Sequence, residues 1–405
     1  MTGRQGRLAT VPTEPIAVGI VLCLCIQSLG PIVVVLELLL LVGLILVRSR
    51  AVAGELARQS ILLALPAFAI LSTLWSPVAG TSLRYGIQLL LTIMMGVAVA
   101  TAVRPAKLPL VLFFGLGASL LAGLASGRTG LAIDGAVLIG FTGSKNQMGF
   151  ISLFWVIASA CVLASRNHGV WMRLLAMLAL PLAMFLVWQS KSMTALVSMV
   201  GVLALMVVLV FAARLPMRGR QVMLVIALLG AVPLFVAKDV ISERVEHFTI
   251  DTLGKDTRLT GRTLLWEQAD VLIAQKPLAG WGFKAIWLGP QGKGLLDRFE
   301  QKDGRAFNFH DTVREIRVDL GWVGLLFFAL PIGVSCVRAL AVTIAGPTAA
   351  SAMATAILAV TLFRFRTDLV LAPFLADSVF LFAAIATLAV MNHRPSTSTL
   401  RQRTR

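Results

Sequence analysis

Long, nearly uncharged apolar stretches recur along this chain and constrain its fold more than any other feature. Each runs for about 15 to 22 residues, and a helix needs roughly 20 apolar residues to cross the hydrocarbon of a bilayer. Charged residues make up only 14% of the sequence, against about 25% in a soluble domain. The pattern predicts an all-α polytopic membrane protein with twelve spans, at residues 15–29, 31–47, 60–76, 86–103, 108–126, 148–165, 170–188, 194–213, 221–237, 321–338, 347–363 and 370–391.

The distribution of positive charge predicts how these spans are oriented. The chain has 36 Lys and Arg residues against 19 Asp and Glu residues, a net charge of +17. With the N-terminus in the cytoplasm, the cytoplasmic connections hold 17 basic residues and the short outside connections hold 6. Cytoplasmic loops are enriched in Lys and Arg, so both termini are predicted to be cytoplasmic. The basic residues then face anionic membrane lipids, and no nucleic-acid partner is expected.

The segment 238–320 differs in composition from the rest of the chain. It contains 13 basic and 13 acidic residues, which predicts a folded periplasmic insertion. The chain is thereby divided into helices 1–9 (1–237), a periplasmic loop domain (238–320), and helices 10–12 with a cytoplasmic tail (321–405). Residues 262–276 have the pattern of an amphipathic helix, whose apolar side is formed by Leu265, Ala269, Leu272 and Ile273.

Several classes of enzyme lack their characteristic residues here. The sequence has no phosphate-binding P-loop, nucleophile elbow or zinc motif, and no acidic pair spaced to hold a metal on a sugar nucleotide. An ATP-driven pump and a transferase that uses a soluble sugar nucleotide are therefore disfavoured, and neither a metal nor another cofactor is expected. The four cysteines lie in apolar stretches without a companion histidine, which predicts packing roles.

One group of basic residues is predicted to lie outside, next to the spans, against the general charge bias. Cations at the outer membrane surface suit the phosphate or diphosphate of a lipid. The alternative is a charge that snorkels to the interface or sets the topology. The group comprises Lys145, Lys191, Arg262, Arg364 and Arg366.

His310 is the candidate general base. If a helix begins at this residue, Arg314 and Arg317 follow at i+4 and i+7 on the same face and extend the diphosphate-binding set. Neighbouring guanidinium groups disfavour protonation of an imidazole, and a neutral imidazole accepts a proton at neutral pH. A structural or surface histidine is the alternative.

Aromatic and acidic side chains complete the candidates. Tryptophan stacks on sugar rings but also marks membrane interfaces, and both interpretations stay open for Trp266, Trp281 and Trp287. Glu37 and Asp377 are predicted to lie inside spans, where an acidic side chain is a functional candidate.

Five stretches resemble, in their order, the O-antigen ligase and Wzy-type polymerase superfamily, in particular its exopolysaccharide polymerases. They are LSTLWSPVAGTSLRY at 71–85, GFTGSKNQMG at 140–149, LGKDTRLTGRTLLWEQADVLIAQKPLAGWGFKAIW at 253–287, HDTVREIRVDLGWVG at 310–324 and RTDLVLAPF at 366–374. The spacing from His310 to Gly321 and Gly324 is similar to that of the family. Asp311 and Asp368 stand where the family usually has Asn and Glu.

The resemblance implies a metal-independent, GT-C-type membrane glycosyltransferase of the bacterial inner membrane. Such an enzyme takes undecaprenyl-diphosphate-linked oligosaccharides as donor and acceptor at the periplasmic face, and a chain-length regulator is a candidate partner. Arginines such as Arg262 would hold the diphosphate, and His310 would activate the acceptor hydroxyl.

This resemblance favours a polymerase of lipid-linked repeats. A ligase that transfers the glycan to lipid A core or to a protein is the alternative within the same class. A transporter or flippase belongs to a different class, and the paired broken helices or internal repeats typical of transporters are not visible in the sequence.

Overall fold

Helices account for nearly all of the structure. A computed structural model describes residues 12–132, 135–236, 262–289, 292, 294 and 308–392, with the side chains of 131–132, 227–236 and 262–263 outside the description. The helices are α1 (Glu14–Leu24), α2 (Pro31–Arg58), α3 (Ala64–Leu71), α4 (Ala79–Ala102), α5 (Leu108–Ala125), α6 (Lys145–Ala164), α7 (Val170–Gln189), α8 (Met193–Ala212), α9 (Met217–Val236), α10 (Arg262–Gln275), α11 (Ala285–Leu288), α12 (Thr312–Ala345), α13 (Ala349–Arg364) and α14 (Ala376–Asn392).

Seven helical segments of the described chain are long and apolar enough to cross a membrane. They contain α2, α4, α5, α6, α7, α8 and α12, and shorter apolar segments contain α1, α3, α13 and α14. Each of the twelve stretches predicted from the sequence overlaps a helix. The prediction of a helical, polytopic membrane protein is therefore confirmed, while the number of crossings and the division into three domains stay predictions.

One β-hairpin departs from the predicted all-α class. Strands β1 (Thr129–Ala132) and β2 (Gly135–Leu138) pair antiparallel between α5 and α6. Thr129 lies opposite Leu138, and Ala132 lies opposite Gly135. The segment was predicted only as a connection, because two four-residue strands carry too weak a periodic signal to be recognised.

The centre of the bundle is formed by helices that pack closely through small residues. A Cβ atom on Gly96 of α4 would lie 2.7 Å from the carbonyl oxygen of Val379 on α14. Likewise, a Cβ atom on Gly115 of α5 would lie 2.6 Å from Val21 on α1. Such close approach is typical of helices that associate in membranes, where packing replaces the hydrophobic effect.

Contacts between connections assign them alternately to two ends of the bundle. At one end, called the site end below, the backbone N–H of Gln27 donates to the carbonyl of Phe141 at 2.9 Å, and Ser192 Oγ lies 3.1 Å from Asn146 Oδ1. At the opposite end, Thr13 Oγ1 donates to the carbonyl of Ala102 at 2.7 Å. This alternation is what an up-and-down helical bundle requires.

A break in α12 connects the bundle to the segment between α10 and α11. Gly321 has φ 66° and ψ −160°, which interrupts the helix. The carbonyls freed before the break, those of Val318 and Asp319, accept hydrogen bonds from the N–H groups of Trp281 and Gly282, both at 2.9 Å. After the break, the N–H groups of Trp322 and Val323 donate to the carbonyls of Pro277 and Leu278 at 2.9 and 3.1 Å. The segment 277–282 therefore provides hydrogen-bond partners for the backbone groups that the break leaves without intrahelical partners.

We predict that Gly321→Ala destabilises the protein. A Cβ atom there would overlap the carbonyl of Leu278, and the φ of 66° is unfavourable for any other residue. The expected loss is about 2 to 4 kcal/mol, measured as a lower melting temperature in detergent. Gly333→Ala is the matched control, because it lies in the same helix with no atom within 4 Å of its Cβ position. Equal melting temperatures for the two variants would show that the break is not required.

Candidate functional site

His310 lies immediately before α12 and not within it. Asp311 caps the helix, its side chain accepting a hydrogen bond from the N–H of Arg314 at 2.9 Å, and the first helical residue is Thr312. His310 has φ 51°, and its N–H donates to Asn308 Oδ1 at 2.8 Å. The predicted common face of His310, Arg314 and Arg317 is therefore wrong, because aspartate is a strong N-cap and starts the helix two residues later.

The charged neighbour of the imidazole is a carboxylate. His310 Nδ1 lies 3.6 Å from Asp368 Oδ1. Burial opposes ionisation of Asp368, but its interaction with His310 and the charge of Arg364 prevail and lower its pKa. Asp368 is consequently ionised at neutral pH. It faces the imidazole as the third, orienting group faces the base in a catalytic triad.

The connection between α13 and α14 holds Asp368 in this position. Thr312 Oγ1 donates to the carbonyl of Asp368 at 2.7 Å and accepts from the N–H of Val370 at 2.9 Å. The N–H of Thr312 donates to the carbonyl of Phe365 at 2.8 Å. The start of α12 and the connection 365–375 thus form one unit, with the imidazole and the carboxylate between them.

Arg314 is occupied by carboxylates and an aromatic ring. Its guanidinium group bonds both oxygens of Asp270 on α10, at 3.1 and 3.2 Å, and Asp311 Oδ2 at 2.9 Å. It also lies 5.0 Å from the ring centroid of Trp266. Arg366, in contrast, is 64% exposed and has its Nε 3.5 Å from Asp311 Oδ2. Of the two arginines, Arg366 is the one placed to meet a ligand from solution.

Arg364 is a buried member of an ion pair. Its side chain is 1% exposed, and its Nη1 and Nη2 lie 2.6 and 3.1 Å from the two oxygens of Asp377. Nη2 also lies 3.4 Å from Asp368 Oδ2, and the guanidinium carbon is 3.3 Å from the ring centroid of Phe150. The acid predicted inside the last span is therefore the partner of this arginine. Arg364 therefore also places positive charge next to the Asp368 carboxylate.

Lys145 and Lys191 lie at the same end of the bundle. Lys145 is the first residue of α6, whose N-cap Ser144 accepts from the N–H of Gln147 at 3.2 Å. Lys191 is exposed and has φ 50° in the tight connection between α7 and α8. The Ser192–Asn146 contact joins the two connections, and α6 carries Phe150 to Arg364. Both lysines thus lie at the site end of the bundle.

The remaining predicted residues have three different placements. Arg317 lies 4.3 Å from the ring centroid of Trp322, and Trp281 donates to the carbonyl of Leu272 at 3.0 Å under the ammonium of Lys276. Trp287 is 2% exposed and packs 4.7 Å from Phe309, so its ring is part of the core of the insertion. The side chain of Arg262 lies outside the described residues.

A buried ion cluster next to the site was not predicted from the sequence. Lys284 Nζ lies 2.7 Å from Glu315 Oε1 and 3.9 Å from Asp319 Oδ2. Burial opposes the charge of Lys284, but the two carboxylates prevail and raise its pKa. Glu315 Oε2 accepts from the N–H of Phe309 at 3.0 Å. This hydrogen bond holds Phe309, which is the residue before His310. The available signals were a lysine within the apolar stretch GWGFKAIW and two acids at i, i+4.

The described residues provide no group of three or more His, Cys, Asp and Glu side chains arranged to hold a metal ion. The polar groups of the site end are instead an imidazole, carboxylates and cations. Together with the fold, they define a multi-pass helical membrane protein with a charged centre built at one end of the bundle. Most of its cations are paired with carboxylates, and Arg366 is the more exposed arginine among them.

Comparison with known proteins finds a family match within part of the chain. Residues 153–329 match the Wzy_C family, O-Antigen ligase, so the chain carries a domain of that family and the resemblance is confirmed. The Exopolysaccharide production protein ExoQ of Rhizobium meliloti (strain 1021) is 29% identical over 296 residues. That alignment covers 71% of this chain and 66% of the relative, slightly less than two thirds of its length. The family match includes Lys284 and His310, and the connection with Asp368 follows it.

We predict that Lys284→Met lowers the free energy of unfolding by about 3 to 5 kcal/mol, because it leaves buried carboxylates without their counter-ion. Lys107→Met is the control, since Lys107 is 51% exposed in its 3.0 Å ion pair with Glu14 and should cost about 0 to 1 kcal/mol. Denaturant titration in detergent micelles measures both. Equal losses would mean that the buried cluster contributes no more than a surface pair.

Proposed function

We propose that this protein is a membrane glycosyltransferase that polymerises undecaprenyl-diphosphate-linked oligosaccharide repeats. The observation that carries the proposal is the His310–Asp368 pair beside the exposed Arg366, at one end of a membrane bundle. The Wzy_C domain and the similarity to an exopolysaccharide production protein support it. The bias of basic residues toward the other connections supports a periplasmic orientation of the site.

His310 acts as the general base in the proposed reaction. Its Nδ1 faces Asp368, which leaves Nε2 to take the proton from the acceptor hydroxyl. The hydroxyl oxygen forms the new bond to the anomeric carbon of the donor sugar. The bond from that carbon to the diphosphate breaks, and the undecaprenyl diphosphate leaves with the electron pair. Asp368 stabilises the imidazolium that results.

Cations at the site end stabilise the leaving diphosphate in this proposal. Arg366 and Lys191 are exposed there, and Lys145 and Arg262 are assigned to the same role from the sequence. Positive groups fixed where charge develops lower the barrier of such a step. Arg314 and Arg364 are held by carboxylates, so we assign them to positioning α10 and Asp368. Arg317 stays a candidate through its place on the first turns of α12.

We predict that His310→Ala slows polymer formation from purified lipid-linked repeats by about 100- to 10,000-fold. Asp368→Asn should give a smaller loss, because the imidazole keeps its place but loses the carboxylate that faces Nδ1 and stabilises the imidazolium. His168→Ala, at the opposite end in the connection 165–169, is the control and should leave the rate unchanged. A folded His310→Ala protein with normal activity would remove His310 from the mechanism.

A ligase acting on lipid A core or protein is the second candidate, because the matched family is described as O-Antigen ligase. A polymerase and a ligase use the same donor and differ in the acceptor. A polymerase needs cations for two lipid diphosphates, and the several basic residues at the site end favour it. No feature of the described residues specifically favours a transporter.

The lipid-linked pool of a deletion strain separates polymerase from ligase. Without a polymerase, single repeats on undecaprenyl diphosphate accumulate, since no enzyme joins them. Without a ligase, long chains on that lipid accumulate, since they are built but not transferred. We predict single repeats, detected by mass spectrometry of extracted lipids and restored to polymer by the wild-type gene. Long lipid-linked chains would favour the ligase.

A further inference from the structure

A second charged cavity lies at the opposite end of the bundle, remote from His310. It has a volume of about 920 Å³, and its lining includes Arg48, Arg58, Arg104, Arg338 and Glu55. These side chains come from α2, from α12 and from the connection after α4. The volume falls within the range of small-ligand sites, roughly 300 to 1,000 Å³.

Only one of these four arginines has a carboxylate partner in the described part of the chain. Arg58 Nη1 lies 3.2 Å from Glu55 Oε2, and Gln59 Nε2 donates to the other oxygen of Glu55 at 2.6 Å. Arg338 reaches the amide oxygen of Gln59 at 3.4 Å. Arg48, Arg104 and Arg338 therefore carry positive charge that no described carboxylate within ion-pair distance neutralises.

Arg48 provides an independent observation that favours an anion site. The backbone of α2 leaves the helical conformation at this residue, with φ −129° and ψ 30°. Its Nε is buried and has no hydrogen-bond partner among the described residues. A buried donor without a partner costs about 1 to 3 kcal/mol, and an acceptor on a bound anion would remove that cost.

The ordinary explanation is that these arginines set the membrane topology and extend toward lipid headgroups and water. Arg58 and Arg104 are exposed in this way, but the four arginines also line one cavity from separate elements, which topology alone does not require. The end of α4 adds partial negative charge to the cavity wall, about half an elementary charge. Three arginines without carboxylate partners outweigh it, so the cavity is positive overall.

We infer that this cavity binds a phosphate-bearing anion. Guanidinium groups pair with phosphate oxygens in a two-pronged geometry, and several arginines around one space suit a single phosphate group. The headgroup of an anionic phospholipid and a soluble phosphate share this chemistry. Ala51 and Val390 in the lining offer an apolar wall to the glycerol part of a lipid. The site is separate from the proposed glycosyl transfer and does not depend on it.

The test titrates the purified full chain in nonionic detergent with three probes by calorimetry. Dioctanoyl phosphatidylglycerol has chains and a phosphate, dioctanoylglycerol has chains only, and sodium phosphate has a phosphate only. We expect saturable binding of the phosphate-bearing probes that weakens with salt, and none of dioctanoylglycerol. Tighter binding of the phospholipid identifies a headgroup site, whereas equal affinity identifies a soluble phosphate.

Variants connect the binding to the cavity. Arg48→Gln combined with Arg104→Gln should weaken phosphate binding at least about tenfold, with an unchanged gel-filtration profile. Arg173→Gln is the control, because Arg173 is an exposed arginine at the start of α7, outside this cavity. Absence of saturable phosphate binding by the wild-type protein, equal binding of dioctanoylglycerol, or an equal loss in the Arg173 variant would each overturn the inference.

Discussion

A helix that breaks inside a membrane protein must find new partners for its backbone, because hydrocarbon provides none. The break at Gly321 in α12 is such a case, and the segment 277–282 supplies the four missing hydrogen bonds. The same segment leads into α11, where Ser72 Oγ accepts from the N–H of Phe283 and Ser82 Oγ donates to its carbonyl, both at 3.0 Å. These hydrogen bonds connect α12 and the residues around Ser72 and Ser82 through the segment 277–283, next to the site.

Two buried ion pairs then hold the groups that contact His310 and the residue before it. Lys284 holds Glu315, which accepts from the N–H of Phe309. Arg364 holds Asp377 and supports Asp368, which faces the imidazole. Buried pairs are costly to assemble and contribute little net stability. Their use here is consistent with positioning one side chain, at a place where an exposed loop would leave it mobile.

The two ends of the bundle treat their positive charge differently. At the site end, Arg314 and Arg364 are paired with carboxylates, and Arg366 is near one. At the opposite end, three arginines face a cavity with no described carboxylate close enough to neutralise them. The sequence shows only how many basic residues each end carries, and not which of them are paired with acids. Only the arrangement of acids separates a positioned centre from an anion site.

The sequence by itself determined the membrane class, the approximate positions of the helices and the resemblance to a family. Apolar runs as long as a bilayer is thick have few alternatives to helix, and the amphipathic stretch 262–276 became α10 with Leu265, Ala269 and Ile273 buried. Tertiary structure decided the site. Asp311 caps α12, so the helix does not include His310 as expected. Arg364 is buried in an ion pair with Asp377. Lys284 pairs with two acids that lie 31 and 35 positions further along the chain. Periodicity reports which face of an element is apolar, but the partner of a charged side chain depends on which elements pack together. The break at Gly321 holds the segment before Lys284 against α12, and the packing of α13 on α14 brings Arg364 to Asp377.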